Sequence, residues 1–383
     1  MHPDSAVAGR GRVSQVDPAG DARAPGPGSA PLLDARHLSK VFSVHGSRKG
    51  LRAVDDVSIS IDRGTTLGLV GETGSGKSAL ARLATRLVDP TSGTVKLDGI
   101  DLTQLKQREL RRVRRRMQFV FQDPYSSMDP RCTVLDSVGE PLRTHEGLKG
   151  SELRDRVVEL AARVGITRPQ LDLYPRELSG GQLQRLSIAR AISVHPQLLV
   201  CDEAVSSLDV STRAQVINLL RRLQDEFGMT YLFIAHDLAV VRTMSTTIAV
   251  MYVGRLIETG PADPVYSEPK HPYTESLLSA VPVPDPNARA YRDRIILSGD
   301  APNPLHPPSG CRFHTRCPYV MDVCRDVEPP AYEAGDGTTV YCHLHTAGPE
   351  LRGESVLNLR AGTVNGSRGK GAQARSGTPL LPG

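Results

Sequence analysis

The sequence predicts an α/β protein built around a largely parallel sheet. Short apolar runs that read as strands alternate with segments of helical periodicity, which is the pattern of a sheet covered by helices on both faces. A glycine-rich stretch, "GETGSGKS" at 71–78, lies directly between one such strand and one such helix. Another strand ends in two acidic residues, Asp202 and Glu203. Ligands of this fold class bind at the carboxyl ends of the strands, so both features point to that edge.

The individual elements follow from the spacing of the apolar residues. Strands are expected at 65–70, 117–122, 197–202, 229–237 and 246–254. Helices are expected at 77–88, 151–165, 182–193 and 211–228. The strands are continuously apolar rather than alternating, as expected of strands that are buried on both faces.

Length and composition exclude several classes of protein. The chain has 383 residues with 47 Lys+Arg against 42 Asp+Glu, so its overall charge does not predict a polyanion-binding protein. No apolar run reaches the length of about 18 residues that a membrane span needs, and the N-terminal stretch is not expected to be a secretory signal. Six cysteines in such a chain are typical of a reducing cytoplasm.

Composition also divides the chain into four parts. Residues 1–31 and 348–383 are rich in small and turn-forming residues and are expected to be disordered tails. Residues 32–260 carry the alternating strand and helix pattern and are expected to form the main domain. Residues 261–347 are Pro-rich and hold a group of cysteines, so they are expected to form a small C-terminal extension.

The stretch at 71–78 has the spacing and the context of a phosphate-binding loop. The loop residues expected to surround the nucleotide are Gly71, Thr73, Gly74, Ser75 and Gly76. Lys77 would reach the β- and γ-phosphate oxygens, and Ser78 would ligate Mg²⁺. A glycine-rich surface turn is the alternative, and the strand before the loop and the helix after it argue against that alternative. The sequence therefore predicts an ATP or GTP site.

Polar residues at other strand ends complete this expected site. Asp202 would hold Mg²⁺ directly or through water, and Glu203 would orient and activate the attacking water. His236, in "IAHD", would donate a hydrogen bond to the γ-phosphate, and Gln122 could contact both the metal and the water. Each of these residues alone could be an ordinary strand-end polar residue. Their shared position at one edge of the sheet favours the functional interpretation.

A second anion-binding helix start is predicted at "ELSGGQLQR", residues 177–185. Ser179 can cap the helix, and the two glycines allow its backbone to approach a ligand closely. The residues involved are Ser179, Gly180, Gly181 and Gln182. One domain with two phosphate-binding loops calls for an explanation.

Together these motifs resemble the ATP-binding subunit of an ABC transporter over residues 32–260. They are Walker A at 71–78, the Q-loop at Gln122, the signature at 178–182, Walker B at 198–203, the D-loop at 206–209 and the H-loop at His236. The resemblance implies a RecA-like core, an antiparallel β-subdomain and a helical subdomain. It also implies a head-to-tail dimer in which each signature covers the ATP held by the other subunit, which explains the second loop.

The same resemblance assigns two further nucleotide contacts. Asp209 belongs to the D-loop motif, and Phe42 would stack on the adenine ring. An apolar residue in a strand is equally often a core residue, so Phe42 has both interpretations.

Four segments are similar to the ATPases of oligopeptide and dipeptide importers in particular. They are residues 119–131, 201–220, 267–282 and 302–324. This similarity implies an ATP-hydrolysing subunit that powers peptide uptake from the cytoplasmic face of the membrane. Its partners would be two permease subunits and an extracellular substrate-binding protein. Ala204 and Val205 replace the Pro-Thr pair of most importers, and this favours a non-identical second ATPase subunit.

Other functions remain possible on the same motifs. Related importers carry nickel or glutathione, and some ABC ATPases act in DNA repair or on ribosomes instead of transport. The short gap between Walker A and the signature argues against the repair class, and a single ATPase domain argues against the ribosomal class. A basic run at 106–119 could suggest nucleic acid, but a solvated helix near the membrane is the favoured interpretation, and no nucleic-acid partner is expected.

Four cysteines lie close together near the C-terminus, at Cys311, Cys317, Cys324 and Cys342. Their spacing differs from the tight pairs of a zinc knuckle, and a 4Fe–4S cluster is expected ahead of zinc. His314, His343 and His345 are additional potential ligands. The alternative is a small Pro-rich segment whose reduced thiols pack as apolar groups.

Overall fold

The computed structural model describes residues 30–44, 50–281, 295, 297, 299–300, 302–348 and 351–359. Of the expected tails at 1–31 and 348–383, residues 30–31, 348 and 351–359 are described and the others lie outside the described residues. Leu351 and Val356 are buried. In the described part of the chain, the strands are β1 (Leu33–Phe42), β2 (Leu51–Ile61), β3 (Thr66–Val70), β4 (Ser92–Leu97), β5 (Ile100–Asp101), β6 (Met117–Val120), β7 (Leu198–Asp202), β8 (Thr230–Ala235), β9 (Thr247–Tyr252), β10 (Arg255–Pro261), β11 (Ala331–Glu333) and β12 (Thr339–Tyr341).

The helices surround these strands. They are α1 (Lys77–Ala84), α2 (Gln107–Val113), α3 (Val134–His145), α4 (Gly150–Arg163), α5 (Gly180–Ile192), α6 (Val210–Phe227), α7 (Leu238–Met244), α8 (Ala262–Ser267), α9 (Pro272–Ser279) and α10 (Val323–Asp326). Short 3-10 turns occur at Leu102–Gln104, Arg114–Arg116, Arg168–Asp172, Pro175–Glu177 and His343–His345. No helix among the described residues is long and apolar enough to cross a bilayer.

An eight-stranded sheet in the order β11-β12-β10-β9-β3-β8-β7-β6 forms the centre of the molecule. The five strands β9, β3, β8, β7 and β6 are parallel, and they are the five strands that the sequence predicts. The residues of β3, β7, β8 and β9 are almost completely buried, as expected for parallel strands covered on both faces, whereas Gln118 and Phe119 of β6 are partly exposed. In the register, Val70 pairs with Ala235 and Asp202 pairs with Ile234. The carboxyl ends of β3, β7 and β8 therefore lie level with one another.

A smaller antiparallel sheet, β2-β1-β4-β5, packs beside the large one. Its inward-facing residues form one hydrophobic core with α1 and with one face of β3, β7, β8 and β9. The other face of the large sheet packs against the helices α3 to α7 in a second core. Helix α1 thus lies between the two sheets, where its first residue points to the carboxyl edge.

Two strands of the C-terminal extension join the large sheet. Strand β12 pairs antiparallel with β10 through Glu258–Val340 and Thr259–Thr339, and β11 pairs with β12. The side chain of Phe313 is buried in the main core. Val340, Cys342 and Leu344 belong to a small third hydrophobic cluster next to β12.

The short helices α7, α8, α9 and α10 are not among the expected ones. Two other differences from the expectation have identifiable reasons. The helix expected at 77–88 ends at Ala84, because Thr85 Oγ1 donates back to the Ala81 carbonyl at 2.9 Å and Arg86 adopts a left-handed backbone with φ 52°. Helix α3 is not predicted, because it contains Pro141 in its interior, which ordinarily breaks a helix.

Candidate active site

Walker A connects β3 to α1 at the carboxyl edge of the large sheet. Gly76 precedes the helix with φ 104°, a conformation that favours glycine. A Cβ atom at Gly76 would lie 2.3 Å from the Ala53 carbonyl oxygen, and one at Gly71 would lie 2.2 Å from the Met251 carbonyl oxygen. The loop therefore packs directly on the backbone of β2 and β9, and glycine is required at both positions.

Lys77 is the first residue of α1 and is buried. Its ammonium donates to the carbonyl oxygens of Gly71 at 2.7 Å and Glu72 at 2.9 Å, and it lies 4.0 Å from Glu203 Oε1. Burial lowers the pKa of Lys77, and the nearby carboxylates of Glu203, Asp202 and Glu72 oppose that shift. The ammonium group is therefore held inside the loop, where the nearby carboxylates offset only part of the cost of burying its charge.

Ser78 and Asp202 form a direct pair between α1 and β7. The Ser78 hydroxyl donates to Asp202 Oδ1 at 2.8 Å, and Asp202 is 2% exposed. Burial raises the pKa of Asp202, and the hydrogen bond from Ser78 partly offsets that rise. A hydroxyl and a carboxylate held together in this way are oxygen ligands of the type that Mg²⁺ prefers.

Glu203 follows Asp202 with a left-handed backbone of φ 48°. Its N–H donates to the Ile234 carbonyl at 3.0 Å, and Gln122 Nε2 donates to Glu203 Oε2 at 2.9 Å. A strained conformation of this kind is common at functional sites. Gln122 itself lies two residues beyond the end of β6, because the strand ends at Val120 and not at the expected position 122.

His236 directly follows β8 and is exposed at the same edge. The next residue, Asp237, caps α7 by accepting from Ala239 N at 2.8 Å. Among the residues that the structure describes, the His236 ring makes no hydrogen bond. Its position at the carboxyl end of β8 is the one that the sequence predicts.

The signature forms the start of α5, and Ser179 caps that helix. Gln182 N donates to Ser179 Oγ at 3.3 Å, and Ser179 N donates to Gln182 Oε1 at 2.8 Å. Ser179 and Gly180 are exposed, whereas a Cβ atom at Gly181 would lie 2.5 Å from Thr212 Cγ2. The signature backbone is therefore open to solvent and anchored on α6.

Asp209 begins α6 as its N-terminal cap. It accepts from Ser211 N and Thr212 N, both at 3.0 Å. Hydrogen bonds from Ser211 and Thr212 lower its pKa, so this exposed carboxyl stays ionised. The starts of α5 and α6 meet through Gly181 and Thr212, which places Asp209 and the signature on neighbouring parts of the surface.

The Walker A loop has features that suit a phosphate ligand. Ser75 Oγ is buried and has no hydrogen-bond partner among the described residues, whereas Thr73 and Gly74 are exposed. A cavity of about 290 Å³ separates Glu72–Ser75 from residues 302–304 of the C-terminal extension, and Lys77, Ser78 and Glu203 do not line it. Phe42 lies at the end of β1, half-buried, with Lys40 Nζ 5.3 Å from its ring centroid.

Sequence reasoning missed two residues that contact the loop from the C-terminal part of the chain. Glu72 N donates to Tyr273 Oη at 2.8 Å, and Arg316 Nη1 donates to both carboxylate oxygens of Glu72 at 3.1 and 2.9 Å. These partners are 201 and 244 positions away along the chain. Both fall in segments quoted for the importer resemblance, 267–282 and 302–324, but neither segment has a nucleotide-binding pattern of its own.

The four C-terminal cysteines are free thiols. Burial raises the pKa of Cys311 to about 11 and that of Cys317 to about 12. No group of three or more His, Cys, Asp or Glu side chains within the described ranges is placed to hold a metal ion. The expected cluster or zinc ion is therefore not supported by this arrangement.

The rings of the three candidate histidine ligands are engaged by the backbone. Each ring is hydrogen-bonded to a backbone carbonyl: His314 to Cys311, His343 to Val327 and His345 to Lys270, at 2.9, 2.9 and 2.8 Å. Protonated thiols that pack among apolar side chains account for the observed arrangement.

The basic run is held in ion pairs within the molecule. It forms α2 and the 3-10 turn Arg114–Arg116. Arg115 pairs with Glu146, and Arg116 pairs with Asp98. Part of the positive charge is therefore neutralised internally.

Two family models match the sequence. The ABC transporter model matches residues 54–206, which include Walker A, the signature and Walker B. The model of the oligopeptide/dipeptide transporter C-terminal region matches residues 257–324, which include Tyr273 and Arg316.

Similar proteins occur in several bacteria. The chain is 51% identical over 294 residues to the probable peptide ABC transporter ATP-binding protein y4tS of Sinorhizobium fredii, covering 77% of this chain and 83% of that protein. It is 45% identical over 321 residues to the oligopeptide transport ATP-binding protein AppF of Bacillus subtilis, covering 82% and 98%.

Solved structures share the fold of the main domain. The dimeric ATP-binding cassette MJ0796, bound to ADP and Pi, has a TM-score of 0.56 at 29% identity and covers 60% of this chain and 98% of its own. The cbiO1 protein of Clostridium perfringens has a TM-score of 0.56 at 27% identity, covering 63% and 92%. The predicted ABC ATPase fold is thereby confirmed. The relatives' identity over most of their length also confirms the resemblance read from the motifs, and the chain belongs to the ABC transporter ATP-binding proteins, in the oligopeptide/dipeptide transporter family.

Proposed function

We propose that this chain is the ATP-hydrolysing subunit of an importer that takes up peptides. The observation that carries the proposal is the meeting of Lys77, Ser78, Asp202 and Glu203 at the carboxyl edge of the sheet. The match of residues 257–324 to the oligopeptide/dipeptide transporter region, and the names of the similar proteins, support peptides as cargo. The family makes the chain a peripheral, membrane-associated ATPase that acts with permease subunits.

The chemistry of each side chain indicates its role in ATP binding or hydrolysis. Lys77 and the Walker A backbone hold the β- and γ-phosphates, and the unpartnered Ser75 hydroxyl is available to them. Ser78 and Asp202 would hold Mg²⁺, which would supply positive charge against the phosphates. Glu203 orients the attacking water while Gln122 fixes its carboxylate, and His236 donates to the γ-phosphate.

The remaining nucleotide contacts are proposed to act across a dimer. The exposed backbone at Ser179 and Gly180 covers the ATP of the other subunit, with Asp209 beside it. Closure on ATP and opening after hydrolysis would drive the permease subunits. Ala204 and Val205 in place of Pro-Thr favour a non-identical ATPase partner. Phe42, half-buried at the end of β1, is proposed to stack on adenine.

The place and boundaries of the subunit are also proposals. It would lie on the cytoplasmic face, with the cargo delivered by an extracellular binding protein. Residues 32–260 would form the ATPase domain and 261–347 its Cys- and Pro-rich extension, between tails at 1–31 and 348–383.

The leading alternatives differ in cargo or in context. Nickel or glutathione import would use the same ATPase, and a non-transport ABC ATPase would use it without permeases. The test is reconstitution of the chain with its permease subunits in proteoliposomes. Peptide-stimulated ATP hydrolysis and peptide uptake are expected. If only nickel or glutathione stimulated hydrolysis, that compound and not a peptide would be the cargo. Failure to associate with any permease would contradict the transport function.

An iron–sulfur cluster at Cys311, Cys317, Cys324 and Cys342, with zinc as the alternative, stays a prediction. Its support is that the other three thiols lie near enough to Cys342 to add to the rise of its pKa, which is mainly due to burial. Anaerobic purification followed by visible spectroscopy and metal analysis tests it. About four irons per chain with broad visible absorption would support the cluster, and stoichiometric zinc without colour would support the alternative. Fresh, reduced, metal-free protein would contradict the prediction.

A further inference from the structure

The contacts between the C-terminal extension and Walker A converge on one residue, Glu72. Its backbone N–H donates to Tyr273 Oη at 2.8 Å, and its carboxylate accepts twice from Arg316. On the opposite side, its carbonyl accepts from Lys77 Nζ at 2.9 Å and from Ser75 N at 3.1 Å. All three polar groups of Glu72 are therefore engaged, two by the extension and one by the loop.

The two extension residues are themselves rigidly held. Tyr273 is completely buried, and its ring lies 4.6 Å from Tyr252 and 5.4 Å from Phe313, measured between centroids. The Arg316 side chain is 10% exposed, and Arg316 Nη1 also lies 3.5 Å from Tyr252 Oη. Aromatic packing fixes the position of the hydroxyl, so Tyr273 can define where the Glu72 peptide lies.

Both contacts bear on phosphate binding. A phosphate loop works only if its N–H groups are already oriented, because ordering them on binding would cost affinity. Glu72 also carries a negative charge at the loop, close enough to act on Lys77. Without the Arg316 guanidinium, this carboxylate would repel a bound triphosphate.

We propose that Tyr273 and Arg316 are positioning residues of the nucleotide site, Tyr273 by fixing the Glu72 peptide and Arg316 by fixing and neutralising its carboxylate. The extension is on this account a working part of the ATP site. The inference rests on the proposed function, namely that ATP binds at Walker A.

The first test compares two buried tyrosines. In Tyr273→Phe the ring packing stays and only the hydroxyl is lost, so the Kd for MgATP is expected to rise about three- to tenfold, the factor of one neutral hydrogen bond. The matched control is Tyr231→Phe, whose hydroxyl donates to the Leu220 carbonyl at 2.8 Å. Tyr231 pairs with Thr66 at the start of β3, whereas Walker A follows the other end of that strand. The control should bind MgATP like the unmodified chain.

The second test asks whether removing the Glu72 charge restores the MgATP affinity that is lost with Arg316. Arg316→Gln should raise the Kd for MgATP on the order of tenfold and raise the ATPase KM while kcat changes little. Adding Glu72→Gln to Arg316→Gln should restore most of the affinity, since the repelling charge is gone. Arg312→Gln is the control, because Arg312 pins the extension to Asp55 and to the Val253 carbonyl without touching Glu72.

Equilibrium binding of MgATP and the Tm are measured on the full chain for every variant. Unchanged Kd in Tyr273→Phe and Arg316→Gln, with or without a lower Tm, would overturn the inference and leave the proposed ATP site intact. A double variant no tighter than Arg316→Gln would overturn the role of charge. If the unmodified chain bound no MgATP, the proposed function and this inference would fall together.

Discussion

At the scale of single residues, Glu203 combines a left-handed backbone with a hydrogen bond from Gln122. Glu203→Gln keeps the size of the side chain and removes its ability to accept a proton from water. ATP hydrolysis is expected to fall about a hundredfold or more, since general-base catalysis contributes that much. Affinity for MgATP should stay within about twofold, because Lys77 and the loop are unchanged.

The measurement is steady-state ATPase activity beside equilibrium MgATP binding. Glu152→Gln, an exposed change in the first turn of α4, serves as the matched control and should leave both quantities as they are. Loss of binding in parallel with hydrolysis would assign Glu203 to binding and not to the attacking water.

Asp202 shows how a buried charge at the site lowers stability. Burial raises its pKa above 3.8, so the folded chain holds this proton more tightly than the unfolded chain does. The stability linked to Asp202 therefore falls as pH rises from 3.8 through the raised pKa. Asp202→Asn should increase the free energy of unfolding of the nucleotide-free protein at pH 7 and weaken its Mg²⁺-dependent ATP binding.

Urea unfolding at a series of pH values checks this prediction. The gain from Asp202→Asn should shrink as pH falls towards 3.8 and vanish below it, where the carboxyl is protonated in both the folded and the unfolded state. A loss of stability at pH 7 would mean that the hydrogen bond from Ser78 outweighs the cost of burying the charge.

At the scale of elements, the start of α5 has a structural and a proposed functional part. Ser179→Ala removes the cap and should lower the free energy of unfolding by about 1 kcal/mol. The proposed contact of this segment with the partner's ATP predicts that dimer ATPase activity falls further than stability explains. Thr133→Ala removes the equivalent cap of α3 and is the control. Equal ATPase activity in the two variants would assign only a capping role to Ser179.

The elements that the sequence predicts are those whose signal is local. Five apolar runs gave the parallel strands, and glycine spacing located Walker A. Helix α3 was hidden by Pro141, which packing tolerates, and the end of α1 depends on the left-handed Arg86. The contacts of Tyr273 and Arg316 with Glu72 were not predictable, because both residues lie more than 200 positions from Glu72 and only folding brings them to the loop.

At the scale of the whole molecule, β12 completes the large sheet by covering β10. A chain that ends at residue 330 lacks β11 and β12, so β10 would present a free edge able to pair with another chain. Such a chain is expected to self-associate, as light scattering and size-exclusion chromatography would report. A chain ending at residue 359 keeps all these strands and is the control. A monodisperse shortened chain would show that β10 needs no cover.

The distance along the chain between Walker A and Arg316 also sets an order of events during synthesis. The phosphate loop leaves the ribosome first. Tyr273, Arg316 and the last strands of the sheet follow on the order of ten to fifty seconds later. Throughout that interval Glu72 lacks Tyr273 and Arg316, and the edge of β10 is uncovered. A nascent chain therefore carries a complete set of ATPase motifs well before it has a finished site.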